Sequence, residues 1–367
     1  QILTLGSAST ELNLTDANTA LSLSGIALET GPGSLTLSGA LALSNGAALN
    51  SSGGTITLGS GASAPSGTSI SLPETTLVLQ SDLSLTGATL KTKNTTFTTN
   101  ANALTLSGGI LEVSGVQDLG GVFPDNSTTL RLAADSTIDD NASLSVGTLD
   151  LANFTLTLDD AMAGLSIAQP VTLDAAGEKL VTGAADLSLN GGISVTAGTI
   201  SSTGGIISAS NLSAGAAGII NFQGGILTLP GGATLANGAS FSTPNTTLNL
   251  GGSLAVAGTW SGSNTTSISL TTDNASLSST VALSLASLQT NGHDFKLDSA
   301  TSDLTLANAF ALSSGTLSTQ GADLIFAGNA DISSEATLDA TVLTGTGGLL
   351  EFRQGGTAFG TINARNA

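Results

Sequence analysis

The chain has 367 residues, of which 40% are hydrophobic, 3% aromatic and 9% charged, and its formal net charge is −19. This hydrophobic content excludes a disordered chain, and no run approaches the roughly 20 apolar residues of a membrane-spanning helix, so we expect no membrane insertion. The excess of acids over seven Lys and Arg residues argues against nucleic acid as a partner. Cysteine is absent, so the sequence offers no disulfide, thiol nucleophile or thiolate metal ligand.

A short phrase recurs along the chain: an apolar–polar–apolar triplet followed by small residues and glycine. Strict alternation is the period of a β-strand, and glycine permits the bend that follows. A phrase that repeats over a whole chain indicates a solenoid. It stands at Leu35–Gly39, Ile56–Gly59, Leu104–Gly108, Leu227–Gly231 and Leu248–Gly251.

The triplets recur at a nearly constant interval. The interval is 21 from Leu35 to Ile56, Ile56 to Leu77, Leu83 to Leu104, Leu227 to Leu248 and Leu283 to Leu304, and 20 from Leu248 to Ile268 and Leu304 to Leu324. A leucine-rich repeat of similar length would carry an asparagine ladder and a helical segment, which are missing. We therefore predict an all-β protein, a single-stranded parallel β-solenoid with about 20–21 residues per coil and about 17–18 coils. Residues 1–367 would form one continuous rod.

Three stretches interrupt the pattern and are predicted as loops pushed out of the coils. They lie near residues 116–128, 161–170 and 175–183, and the first contains Gly120-Gly121 and Pro124-Asp125-Asn126. A solenoid tolerates such insertions because each coil contacts only its neighbours.

Few residues offer catalytic chemistry. The only histidine, His293, stands in a turn-like Asn-Gly-His-Asp sequence, and we expect it to be exposed. The only tryptophan, Trp260, is expected to pack or to be partly exposed rather than to bind a sugar. Two pairs of adjacent acids, Asp139-Asp140 and Asp159-Asp160, are poorly placed to converge as a glycosidase pair if extended, because neighbours on a strand point to opposite faces. In a turn they could coordinate a hard cation with Asn141, but we expect them to be solvated turn acids. The EF-hand, phosphate-loop and HExxH patterns are absent, so we predict no enzyme, no cofactor and no metal.

Two segments, Gly53–Gly59 and Gly224–Gly232, resemble the Gly-Gly-Thr-Leu-x-Leu repeats of autotransporter passenger domains. The whole chain is similar in style to those passengers and to filamentous-haemagglutinin-like exoproteins. The resemblance implies a right-handed parallel β-helix, secretion to the bacterial cell surface, and a role in adhesion or matrix. Passenger repeats often carry Asn-Thr-Tyr, whereas this chain has no tyrosine, and no functional residue is carried over.

Both ends of the sequence are strand-like, with neither an amphipathic helix nor a polar cap. A free-standing solenoid must cover its terminal coils, so the segment is either cut from a longer solenoid or stacks head to tail on another copy. The predicted self-association residues are Ile2, Leu3, Leu5, Leu350, Phe352, Phe359 and Ile362.

These observations favour an extracellular structural protein, a stiff β-solenoid that stacks on copies of itself into a surface filament or matrix fibre. The alternative is an adhesin passenger domain that binds host cells or cell-surface glycans, with the segment 122–124 as its candidate contact. A minor alternative is a β-helix enzyme acting on polysaccharides, which the wide scatter of Lys and Arg disfavours.

Overall fold

A computed structural model of the chain describes residues 2–4, 11–16, 20–139, 143–159, 164–273, 275–340 and 348–363. Strands account for 57% of the residues and helix for 1%. The strands are parallel and stack as a β-solenoid of about 16 turns with about 21 residues per turn. The predicted fold class is therefore confirmed.

The number of turns is smaller than the 17–18 or so expected from a uniform repeat. Several turns are longer than the average turn, as the strand register shows: Leu350 is the partner of Leu324 in the adjacent turn, and Leu180 is the partner of Leu156. Each long turn uses residues that a uniform repeat would assign to another turn.

The chain forms two compact units, the first made of Gln1–Gln169 with Lys179–Asp186 and the second of Pro170–Glu178 with Leu187–Ala367. Sheet 1 of the first unit comprises Ile2–Thr4, Ala27–Gly31, Ala48–Ser51, Ser69–Pro73, Thr89–Lys93, Ile110–Gln117, Thr129–Ile138, Thr155–Leu158 and Lys179–Val181, with Thr148–Asp150 also paired to Thr129–Ile138. Sheet 2 comprises Glu11–Leu14, Ser34–Leu37, Thr55–Leu58, Thr76–Leu79 and Thr96–Thr98. Sheet 3 comprises Leu21–Ser24, Leu41–Ser44, Ala62–Ala64, Leu83–Thr86, Leu104–Ser107 and Val122–Pro124; in the same unit Ser143–Val146 pairs with Gly164–Ile167.

The second unit contains four groups of paired strands. Sheet 4 comprises Thr199–Ser202, Ile219–Phe222, Ser240–Ser242 and Thr259–Ser261. Sheet 5 comprises Leu187–Leu189, Ile206–Ala209, Ile226–Leu229, Thr247–Leu250, Ser267–Leu270 and Ser287–Gln289. Sheet 6 comprises Val171–Leu173, Ile193–Val195, Leu212–Ala214, Ala233–Leu235, Ser253–Val256, Ala275–Ser279, Phe295–Leu297, Phe310–Ser318, Ala330–Asp339 and Thr361–Asn363. Sheet 7 comprises Leu283–Leu285, Leu304–Leu306, Leu324–Phe326 and Leu350–Phe352. The one helix of the described ranges is the 3-10 turn Ser263–Thr265.

The core of each unit consists of aliphatic columns that run from turn to turn. In Ser34–Leu37, for example, Leu35 and Leu37 point inward and are fully buried, while Ser34 and Thr36 face outward. Each fully buried Leu, Ile or Val contributes about 1.5–3 kcal/mol. All seven sequence intervals named above join residues that are register partners in adjacent turns.

Glycine is required at the corners for two reasons, which Gly54 and Gly225 illustrate. Both have positive φ, +74° and +71°, where side chains with a Cβ are strained. A Cβ on Gly54 would lie 2.6 Å from the Gly33 carbonyl oxygen, and one on Gly225 would lie 2.3 Å from the Gly205 carbonyl oxygen. The backbones of successive turns therefore stack too closely at these corners for any side chain.

The segments predicted as loops contain some strand residues. Val122–Pro124 pairs with Leu104–Ser107 inside 116–128, and Lys179–Val181 pairs with Thr155–Leu158 inside 175–183. Residues 161–163 lie outside the described residues. That these segments are insertions, and that residues 1–367 form one continuous rod, stay predictions.

Candidate functional sites

The last described turn, residues 348–363, leaves apolar side chains exposed. The exposed fraction is 78% for Phe359, 50% for Leu349, 41% for Phe352 and 40% for Ile362. The strands Leu350–Phe352 and Thr361–Asn363 each have one neighbouring strand among the described residues. A further strand, from this chain or from another, would pair with the second edge of each.

A row of three phenylalanine rings ends in this turn. The ring centroids of Phe310 and Phe326 are 5.1 Å apart, and those of Phe326 and Phe352 are 5.0 Å apart, with interplanar angles of 30° and 24°. Phe310 and Phe326 are buried, whereas Phe352 is not. The row thus presents a partly uncovered ring at its end.

The terminal turn also forms a hollow of about 290 Å³. Its lining consists of Ala330, Phe352, Gln354, Gly356, Thr357, Ala358 and Ile362. Two of the predicted self-association residues, Phe352 and Ile362, therefore come together, whereas Phe359 and the half-buried Leu350 are not in the lining. We call residues 348–363 with this hollow the open terminal turn.

The predicted residues near the start of the sequence are described less fully. Ile2 and Leu3 lie in the strand Ile2–Thr4, opposite Ala27 and Leu28 of the next turn. Leu5 lies outside the described residues. That the seven residues form a self-association site stays a prediction.

Two carboxylates fasten the open terminal turn to the turn before it. Asp323 Oδ1 accepts a hydrogen bond from the Leu349 N–H at 2.7 Å. Asp331 Oδ1 accepts one from the Thr357 N–H and another from its hydroxyl, both at 2.8 Å. These bonds, the hydroxyl first, lower the pKa of Asp331, because they favour its ionised form.

A polar groove of about 440 Å³ lies over sheet 6. Its lining consists of Ser253, Ala275, Ser276, Asp294, Phe295, Lys296, Asp298, Thr316 and Ser318. In the stretch 294–298 the side chains alternate, so that buried Phe295 and Leu297 enter the core while the three charged residues face outward. We call this lining set the polar groove.

Hydrogen bonds between turns hold the charged groups of the polar groove. Lys296 Nζ lies 2.7 Å from Asp298 Oδ1, and the Thr316 N–H donates to Asp294 Oδ1 at 2.7 Å. Ser276, 4% exposed, lies at the floor, where its hydroxyl reaches both Ser253 Oγ, at 2.8 Å, and the Asp298 carboxylate.

Asp298 is ionised in the polar groove. Partial burial raises its pKa, but the hydrogen bonds from Lys296 and Ser276 and the charge of Lys296 outweigh burial and lower the pKa overall. The groove therefore carries two carboxylates, one ammonium group and several hydroxyls at fixed positions.

His293 stands at the corner next to the polar groove. Its Nδ1 lies 3.0 Å from Asp273 Oδ1, and its side chain is 32% exposed rather than fully solvated. The hydrogen bond from His293 lowers the pKa of Asp273. Sequence reasoning missed this pair, although the spacing of 20 residues, one turn of the solenoid, could have indicated it.

Trp260 packs in the core, as predicted. It is 8% exposed, its ring centroid lies 5.3 Å from that of Phe241, and its Nε1 donates to Thr243 Oγ1 at 2.7 Å. It offers no platform to a ligand. Of the adjacent acid pairs, Asp140 and Asp160 lie outside the described residues.

The described ranges contain no group of three or more His, Cys, Asp or Glu side chains arranged to hold a metal ion. Over the same ranges, no helix has the length and apolar character needed to cross a membrane.

Comparison with known proteins adds no family to this picture. No protein-family model, curated protein or solved structure matches the chain. The fold class of the protein is the β-solenoid, with parallel sheets and a repeat of about 21 residues.

Proposed function

We propose that this chain is an extracellular structural protein of the bacterial cell surface, whose β-solenoids stack end to end into a filament or matrix fibre. The observation that carries the proposal is the open terminal turn. There the phenylalanine row ends in a ring that is 41% exposed, beside a hollow lined by Phe352 and Ile362. The autotransporter-like phrases Gly53–Gly59 and Gly224–Gly232 support the surface location.

The partner that fits this turn is another coil of the same kind. A further turn would bury Phe352, Phe359 and Ile362, and a fully buried large apolar side chain contributes about 1.5–3 kcal/mol. It would also pair the free edges of Leu350–Phe352 and Thr361–Asn363. The strand Ile2–Thr4 likewise has a single neighbour among the described residues, and its second edge would accept the same kind of pairing.

Head-to-tail contact of this kind produces filaments rather than closed dimers. The two surfaces that meet are different, so each added copy leaves a new free surface for the next. The net charge of −19 opposes side-by-side association of the acidic flanks and so favours growth at the ends.

The test is the association state of the 367-residue chain. Light scattering and electron microscopy should show particles that lengthen with protein concentration and carry a regular axial repeat. Phe359→Asp should shorten them strongly, because it places a charge on an apolar contact.

Phe123→Asp is the matched control, since Phe123 is also exposed, at 52%, but lies in the first unit. A chain that stays monomeric at high concentration without an axial repeat, or that responds equally to both variants, would rule out end-to-end stacking.

Adhesion to glycans is the second candidate function. The observation that favours it is the polar groove, since its fixed carboxylates, ammonium group and hydroxyls lie on a sheet rather than in the open terminal turn.

A further inference from the structure

We infer that the polar groove over sheet 6 binds an uncharged oligosaccharide. The polar groove is concave, with a buried floor and charged walls. Its volume of about 440 Å³ lies in the range of small-molecule sites. A cleft in which polar groups converge and a carboxyl has a shifted pKa is a candidate binding site.

The chemistry of the lining matches a polyhydroxylated ligand. A sugar hydroxyl both donates and accepts hydrogen bonds, so it needs acceptors and donors side by side. Asp294 and Asp298 are the acceptors, the Lys296 ammonium is a donor, and the hydroxyls of Ser253 and Thr316 can serve in either role. Hydrogen bonds to ionised groups are the strong ones, so these three charged residues would supply most of the affinity.

The groove is arranged before any ligand arrives. Lys296 Nζ and Asp298 Oδ1 lie 2.7 Å apart, and the Thr316 N–H donates to Asp294 from the neighbouring turn. Ser276 fixes the floor through Ser253 and Asp298. A site held in this way loses little conformational entropy when it binds, which favours affinity even for a small ligand.

Electrostatics select against acidic saccharides. The groove carries two carboxylates against one ammonium group, and the Asp273 carboxylate lies at the adjoining corner beside His293. The protein as a whole carries a charge of −19. Uronates, sulfated sugars and phosphates are therefore repelled, whereas a neutral sugar is not.

This inference rests on the second candidate function, adhesion to glycans, and is independent of end-to-end stacking. The polar groove uses residues 253–318, whereas stacking uses the open terminal turn at 348–363. A failure of either proposal leaves the other standing.

The experiment is calorimetric titration of the 367-residue chain with cellotriose, maltotriose, mannotriose and chitotriose, and with trigalacturonic acid as the acidic probe. We expect at least one neutral trisaccharide to bind in the millimolar range or tighter and the acidic probe not to bind. Lys296→Met and Asp298→Asn should each weaken binding about tenfold, the size expected for a hydrogen bond to a charged group.

The matched control is Lys91→Met, which removes an equally exposed lysine from its 3.2 Å pair with Glu112 in the first unit. It should leave saccharide binding unchanged. No binding by any neutral trisaccharide, equal or stronger binding of trigalacturonic acid, or binding that Lys296→Met and Asp298→Asn leave unchanged would overturn the inference.

A measurement on the unaltered protein covers the case in which a variant fails to fold. Lysine acetylation followed by mass spectrometry should show Lys296 protected by the bound trisaccharide and Lys91 not protected. Equal acetylation of Lys296 with and without saccharide contradicts the inference.

Discussion

Two aromatic pairs in the second unit differ in how far their outer ring is buried. Trp260 packs against Phe241 with the rings tilted by 48°, its indole N–H donates to Thr243, and it is 8% exposed. Phe352 stacks on Phe326 with an angle of 24° between the rings, yet it is 41% exposed. The strands Thr259–Ser261 and Leu350–Phe352 each have one neighbouring strand among the described residues, so strand pairing does not account for the difference. A ring contact with the preceding turn is therefore not enough to bury the outer ring in this fold.

Truncation of a covered ring should have the largest effect. Phe241→Ala removes a fully buried side chain and is expected to lower the free energy of unfolding by about 3–5 kcal/mol. Phe352→Ala should cost less than half as much, because its ring is already partly solvated. Urea unfolding followed by Trp260 fluorescence measures both. Equal losses in the free energy of unfolding would mean that the Phe352 ring is buried in solution, as it would be against another copy in a stack.

Glycine substitutions should also cost more in a covered turn than in the open terminal turn, although the effect is smaller than that of removing a buried ring. Gly225→Ala places a Cβ 2.3 Å from the Gly205 carbonyl oxygen at a positive φ, and we expect a loss of about 1–3 kcal/mol. Gly355→Ala in the open terminal turn meets no atom within 4 Å and should be close to neutral. Thermal unfolding of the two variants distinguishes them, and a neutral Gly225→Ala would contradict the close approach of the backbones.

Acid should loosen the open terminal turn before the covered ones. The folded-state pKa of Asp331 lies below its ordinary value, so its contribution is present above about pH 4 and is lost as the pH falls through the folded pKa. Hydrogen exchange should show severalfold weaker protection of the Thr357 amide in acid, and Asp331→Asn should weaken it at neutral pH.

The control for Asp331 is Glu335→Gln, which changes an exposed carboxyl of the same strand. It should leave protection of the Thr357 amide intact. Protection that does not change with pH in the unaltered protein would show that Asp331 does not fasten the turn.

Surface ion pairs should have the smallest effect in both covered and uncovered turns. Arg131 and Asp150 pair at 2.9 Å in the first unit, and Arg353 and Glu351 pair at 3.1 Å in the open terminal turn. All four side chains are substantially exposed, so Arg131→Met and Arg353→Met should each cost less than about 1 kcal/mol. Urea titrations in low and high salt check this, and a larger cost at either site would mean that the pair is shielded from solvent.

The sequence predicts the fold well because two simple periods coincide. Alternation places every second residue inside, and the regular interval between triplets brings Leu35, Ile56 and Leu77 into one column. Errors arise where the interval changes: the longer interval between the register partners Leu324 and Leu350 reduces the number of turns.

The candidate sites are less predictable because they depend on contacts between turns of unequal length. The sequence places Asp294, Lys296 and Asp298 at every second position, which predicts one shared face. It does not predict that Ser276 from the preceding turn and Thr316 from the following turn complete the polar groove. At the open terminal turn, the sequence does not predict the exposure of Leu349, whereas Phe352 and Ile362 are among the predicted self-association residues.

The most direct test of stacking is disulfide trapping. The sequence contains no cysteine, so only the introduced thiols can form a disulfide. Thr4→Cys and Phe359→Cys place one thiol on an exposed residue of the strand Ile2–Thr4 and one in the open terminal turn. Mixed and oxidised, the two variants should give mainly the crossed dimer, because head-to-tail contact brings the two surfaces together. Crossed and uncrossed dimers in random proportion, or no dimer at all, would contradict end-to-end assembly.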